Sequence, residues 1–292
     1  HALIGESIQS LDSNNPDDVY LIAKHFFAAG SLFSAKAYES NLQAAKLACK
    51  FHQFEDSLDL LEKAKISASS SGNSVFDVEV QKAVVNCEKS HIYGKGQSEA
   101  ADFGLEILKE TSLLIFDELA IKITRALYEA RRYDEAIEMA EKLKSAESIS
   151  TQTEGFHFHG LSISPQERDK SKERLSLLRQ AYDLASQSNI SSLEAMVANS
   201  LAGQLSGGND SDRVEAKELY FRSLELKENQ EIKDVKGIAM THGGLGFFSF
   251  FGKPQDLESA RFHFEKDLEL ATQINGEMGM SKMNSMLSQI DI

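Results

Sequence analysis

Tryptophan is absent from this chain of 292 residues, and there are only 3 prolines and 2 cysteines. Each shortage excludes something. With so little proline beside 18 glycines, collagen-like and proline-rich material is ruled out. A content of 41% hydrophobic and 26% charged residues supplies enough apolar surface for a continuous core, so disorder is ruled out as well. No stretch approaches the ~20 apolar residues that span a bilayer. The start, His1 to Glu6, lacks the basic and long apolar parts of a secretory leader. Because the chain opens on His1 and not on Met, it is expected to be a piece of a longer protein. Cys49 and Cys87 each lie within an apolar helical pattern. They are expected to be buried thiols in a reducing, cytoplasmic setting and not a disulfide framework.

Positive charge is the other shortage. Lys and Arg number 31 against 45 Asp and Glu, a net charge of −14, with pI ≈ 5.1. Nucleic-acid phosphates and anionic lipid surfaces are held chiefly by Lys and Arg, so neither nucleic acid nor membrane is an expected partner. Arg131-Arg132 is the only adjacent basic pair, and acidic residues follow it.

What is present is repetition. Polar breaks recur at Ser67–Ser74, Glu110–Ser112, Ser145–Ser150, Gln187–Ser192, Lys227–Lys233 and Asn275–Gly279. They lie roughly 36 to 46 residues apart, a range typical of paired-helix repeats. Between them fall two stretches of helical apolar spacing, divided by shorter turns at Phe51–Gln53, Gly94–Gly96, Arg131-Arg132, Ile163–Arg168, Gly207–Ser211 and Gly252–Gln255. One helix pair cannot bury its own apolar stripe, so the pairs must stack.

The second helix of each pair repeats a small-then-large triplet at spacings of four and three, which puts the side chains on one face. The triplets are Ser57, Leu61, Ala64; Ala101, Leu105, Leu108; Ala136, Ala140, Leu143; Leu178, Tyr182, Ala185; Ala216, Tyr220, Ser223; and Ala260, Phe264, Asp267. The last two end on polar residues. The first helices carry small residues at their centres: Ala44-Ala45, Gly160, Ala202-Gly203 and Gly243-Gly244. Glycine inside a helix costs roughly 1 kcal/mol relative to alanine, so its recurrence predicts a neighbouring helix too close for a side chain.

These features resemble the tetratricopeptide repeat (TPR) family. Ala120, Ile123, Thr124, Leu127, Tyr133, Ala136, Ala140 and Leu143 fall on the motif's two helices, and Gly244, Phe247, Ala260 and Phe264 match it a second time. The motif's Trp and the usual inter-repeat Pro are missing, and several repeats exceed the family length. The resemblance implies an all-α fold, a right-handed α-solenoid of about six antiparallel helix pairs forming one domain over 1–292. Within it, 1–30 holds N-terminal helices, 31–275 the repeats and 276–292 a C-terminal helix. Leu3, Ile4, Ile8 and Leu11 mark a short first helix, and Pro16 with its following acids starts the second. The Met-rich end, from Met278 through Met280, Met283 and Met286 to Ile290, is expected to cap the array or to dock a further domain.

No catalytic or cofactor motif accompanies the repeats. Gly94-Lys95-Gly96-Gln97-Ser98 lacks the spacing of a phosphate loop, and Gly243-Gly244-Leu245-Gly246 follows no strand. His157 and His159 point about 200° apart on a helix, and no HExxH or CxxC exists, so no metal is expected. His242 and His263 lie on opposite helices of one hairpin and could approach, but two ligands are too few for a metal. What the resemblance does imply is a concave surface lined by the first helices. Its positions would be Lys46 and Lys50; Glu118, Arg125 and Tyr128; His157; Gln204; and Thr241, Leu245 and Phe248. Such a mixture of cations and rings suits an extended peptide or a partner helix. The chain is therefore expected to be a non-catalytic peptide- or protein-binding module without cofactor, the sensor or scaffold segment of a larger regulatory protein. An enzyme with an unrecognised site and a self-association spacer are the competing readings. The GFFSFFG stretch, Phe247, Phe248, Phe250 and Phe251, cannot turn all four rings to one side of a helix.

Overall fold

A computed structural model describes residues 1–10, 15–109, 117–164, 166–229, 234–274 and 277–291, the last segment without the side chains of 277 and 278. Among these residues every regular element is helical. Leu11, the break at 110–112, most of the break at 227–233, residues 275 and 276, and the Met278 side chain lie outside the description.

The helices run α1 Ala2–Gln9, α2 Pro16–Ala28, α3 Ser34–Lys50, α4 Phe54–Ser71, α5 Val75–Tyr93, α6 Gln97–Lys109, α7 Asp117–Glu129 and α8 Tyr133–Leu143. They continue with α9 Ile149–Ser162, α10 Ser171–Gln187, α11 Ser191–Leu205, α12 Asp210–Glu228, α13 Val235–Phe250, α14 Leu257–Gln273 and α15 Glu277–Ile290. Successive helices pack against each other, as α3 does with α4, α11 with α12 and α13 with α14. Two compact units result, 1–90 with 98–123 and 91–97 with 124–292, and the three boundaries fall inside α5, at the first residue of α6 and inside α7.

In the first unit, α2 starts where the sequence says it should. Pro16 occupies its first turn and Asn15 accepts from Asp17 N, satisfying a free helix-start amide. The expected apolar stripe of α1 does not pack as drawn: Leu3 is 78% and Ile4 47% exposed, while Gly5 is buried. A β-carbon on Gly5 would lie 3.2 Å from the Phe26 ring, so the contact face is the one without bulk. Helices α3 and α4 close on Ala44, Ala45, Ser57, Leu61 and Ala64, all fully buried. Cys87 of α5 points its thiol at Ala100 O of α6, and both cysteines are free thiols. Cys49 is half-buried, and burial pushes its thiol up to about 12. A thiol held neutral in this way is a poor nucleophile.

In the second unit the small-then-large triplets are the packing seams. Leu178, Ala216, Tyr220 and Leu224 join Ala198, Leu201, Ala202 and Leu205 in one core across α10, α11 and α12. Glycine marks the tightest approaches. A β-carbon on Gly155 would meet the backbone of α8 at 2.7 Å, one on Gly160 would touch Leu178, and one on Gly244 would lie 2.6 Å from the Tyr220 ring. Gly203 differs, with only the Tyr220 hydroxyl at 3.6 Å. The last helix uses its methionines on its neighbour: Met283 and Met286 are buried with Ala260 and Phe264. The phenylalanine run splits as its spacing requires. Phe247 and Phe250 turn to Phe264, Phe248 turns to Tyr220, and Phe251 is 64% exposed.

Candidate ligand-binding surface

Within the second unit, the end of α5 and the latter half of α7 join α9 and α13 in bringing six side chains together. His91 stands at the end of α5, Arg125, Tyr128 and Glu129 on α7, Phe158 on α9 and Lys236 at the start of α13. The His91 Nδ1 lies 2.5 Å from Glu129 Oε1. The Lys236 ammonium donates to the His91 carbonyl and stands 3.4 Å from its Nδ1. Burial pulls the His91 pKa down, the Arg125 and Lys236 charges act with it, and the bond to Glu129 opposes them. The ring is therefore neutral near pH 7, and a neutral ring that faces a carboxylate carries its proton on Nδ1 and donates it. The second carboxylate oxygen of Glu129 is buried without a hydrogen-bond partner among the described residues.

The aromatic part adjoins the charged part. The Arg125 guanidinium is 5.9 Å from the Phe158 ring centre, within range of a cation–π contact. The Tyr128 ring is 6.0 Å from Phe158 and 6.1 Å from Tyr133. Burial raises the Tyr128 pKa, so its hydroxyl stays a neutral donor. Arg125, Tyr128, Glu129 and Lys236 are all half-buried, so the cluster presents both charge and ring edges to what approaches it.

The ten residues expected from the sequence divide sharply. Lys46, Lys50 and Glu118 are exposed and belong to the first unit. Arg125 and Tyr128 stand in the cluster just described, and Gln204 is half-buried on α11. Phe248 is half-buried under Arg213, whose guanidinium lies 4.6 Å above its ring. His157, Thr241 and Leu245 are buried and line no open surface. His157 bonds Ser200 of α11 at 2.8 Å, and Thr241 accepts from Lys227 of α12 at 2.8 Å. Leu245 belongs to the α10–α12 core. The physical reason is rotation of the helix: the 241, 245, 248 stripe of α13 is turned onto α12, and packing takes it.

Four members of the cluster escaped sequence reasoning. Glu129 follows Tyr128 directly and could have been found as the next inward position. Phe158 adjoins His157. His91 and Lys236 are 145 residues apart, and no local signal joins them.

Comparison with protein-family models gives no match, and neither does comparison with curated proteins. Among solved structures, the chain resembles a Rap protein whose crystal structure was determined in complex with Competence and Sporulation Factor. The likeness has a TM-score of 0.61 at 13% identity and covers 94% of this chain and 79% of that one. The fold is that of a TPR-like helical repeat protein. At this identity the likeness establishes architecture alone. Among the described residues, no group of three or more His, Cys, Asp or Glu side chains is placed to hold a metal ion, and no helix is long and apolar enough to cross a membrane.

Proposed function

We propose that this chain is a non-catalytic peptide-binding helical repeat module and that the second unit carries its binding surface. The observation behind the reading is the convergence of Arg125, Tyr128, Phe158 and Lys236 from α7, α9 and α13, with cations beside the half-buried Tyr128 ring and the buried Phe158 ring that backs it. A guanidinium over a ring offers a carboxylate a charge-assisted bond and an apolar side chain a stiff surface at the same place. The fold shared with a Rap protein solved in complex with Competence and Sporulation Factor supports the same reading. In the larger setting the module serves as the sensor or scaffold segment of a cytoplasmic regulatory protein, with α15 as its cap.

The test is selection of a displayed random peptide library on the purified chain. Wild type is expected to enrich peptides that place a carboxylate beside an aromatic or aliphatic residue. Arg125→Glu and Phe158→Ala, checked as folded by circular dichroism, are expected to lose those peptides at least about tenfold. Equal retention by both variants, or no enrichment by wild type, rejects the proposal.

A further inference from the structure

The sixth triplet ends on Asp267, where packing would favour a small apolar residue, and the structure does not repair the anomaly. Ser223, at the same place in the fifth triplet, is fully buried and donates to Ala195 O at 2.7 Å. Asp267 is only 7% exposed. No hydrogen bond and no ion pair of its carboxyl is found among the described residues. An ionisable group that is nine-tenths buried and unpaired is costly, about 1–3 kcal/mol or more.

Asp267 faces a pocket. A cavity of about 390 Å³ opens between α13, α14 and α15 beside the end of α5, within the second unit. Its walls are mostly apolar: Ala239, Met240, Phe247, Ala271 and Met283. Gly243 lines it too, and a β-carbon there would collide with the Asp267 carboxylate, so the missing side chain is what leaves the carboxyl its place. Lys236 and Lys282 also line the pocket, but neither neutralises the acid. The Lys236 ammonium donates to the His91 carbonyl, and that of Lys282 lies over the Phe247 ring, 4.4 Å from its centre. A largely apolar hollow of this size with a few polar groups, of which Asp267 is the acid, has the form of a small-ligand site.

We propose that this pocket binds an apolar group bearing a primary ammonium, which the Asp267 carboxylate receives while the apolar body fills the space against Met240, Phe247 and Met283. The chemistry has two natural sources, a free aliphatic or aromatic amine and the amino-terminal residue of a peptide. The proposal stands on the pocket's own geometry and is independent of the Arg125 surface, so either reading can fail without the other. Burial holds the Asp267 pKa up at about 7, with Lys282 only partly opposing it. An ammonium placed against the carboxyl would ionise it, so binding below that pH releases a proton.

The experiment is calorimetric titration of the full chain with leucinamide, Leu-Gly-Gly and N-acetyl-Leu-Gly-Gly, at pH 6 and pH 8 in buffers of different ionisation enthalpy. Leucinamide is expected to bind with release of close to one proton at pH 6; at pH 8, where Asp267 is already ionised and an α-amine of pKa about 7.7–8.0 is partly neutral, it is expected to bind with net uptake of roughly half a proton. Leu-Gly-Gly binding as well assigns the pocket to peptide amino termini; leucinamide alone assigns it to free amines; the acetylated peptide is expected to fail in both cases. Asp267→Asn, nearly isosteric, is expected to weaken binding about tenfold or more and to abolish the proton release. Met240→Trp, a change at an exposed lining residue, is expected to block the pocket with the fold intact. Binding of the acetylated peptide equal to that of Leu-Gly-Gly, unchanged affinity in folded Asp267→Asn, or no binding of either amine by wild type overturns the proposal.

Discussion

The Nδ1 atoms of His242 and His263 face each other 2.9 Å apart between α13 and α14. Two protonated rings would both present donors there, so one ring must donate and the other accept. Burial lowers the pKa of both; for His263 burial and then the neighbouring His242 carry it down to about 4, with Asp256 opposing, and for His242 the Lys266 charge adds to burial.

Acid stability follows from that pair. Unfolded histidine takes up a proton near 6.5 while folded His263 resists it until about 4. Between these values the unfolded state holds more protons, so the pair's contribution is complete above pH ~6.5 and is lost as pH falls towards 4. Thermal melts from pH 7 to 4 should therefore fall more steeply for wild type than for His242→Leu/His263→Leu. Parallel curves would remove the pair from the account.

Asp267 works in the opposite sense. Its folded pKa is raised from 3.8 to about 7 by burial. The folded state then holds more protons across that interval, so stability is highest near pH 4 and is lost as pH rises through 7. Asp267→Asn should stabilise the chain above pH 7 by up to about 4 kcal/mol, with the gain shrinking to nothing below pH ~4. Denaturant titrations at the two pH extremes measure the difference, and a gain that does not depend on pH would refute the assignment.

Lys227 is 4% exposed, and its ammonium is held by Gly237 O at 3.1 Å and Thr241 Oγ1 at 2.8 Å. Burial pulls its pKa down to about 8. Unfolded lysine keeps its proton to 10.5, so this residue makes the fold more stable as pH rises from 8 to 10.5. Lys227→Met should raise stability at pH 7 by about 1–2 kcal/mol and abolish the alkaline gain, as replacing a buried ion by an apolar side chain commonly does. Melting curves at pH 7 and 10.5 decide it.

Two glycines in similar helical surroundings should respond with opposite signs. Gly155 faces the α8 backbone, with Lys144 N at 2.7 Å and Ala140 O at 2.9 Å from a β-carbon, and backbone cannot give way. Gly155→Ala should cost about 2–4 kcal/mol through forced separation of α8 and α9. Gly203 has open space, so Gly203→Ala should gain about 0.5–1 kcal/mol from lost unfolded-state freedom. Urea midpoints of the two variants test both signs together.

The helices themselves were legible because burial writes itself into spacing. Ala136, Ala140 and Leu143, or Ser57, Leu61 and Ala64, recur on one face and are all buried. Gly160 and Gly244 announced crowding, and crowding is there. Gly203 sent the same signal and is loosely packed, since a glycine in a helix tells of room without saying whether a neighbour fills it. The proposed binding surface coincides with the positions expected from the sequence only at Arg125 and Tyr128. Thr241 and Leu245 carried the right residue types in the right register, yet α13 is turned so that they meet α12.

Composition and periodicity were thus sufficient for an array of paired helices, because an apolar stripe at helical spacing has to be covered and only another such stripe can cover it. They were insufficient for the face that each helix leaves open. That choice belongs to interlocking side chains distant in the chain, as when Lys236 finds His91 across 145 residues, and no local pattern contains the rotation that brings them together.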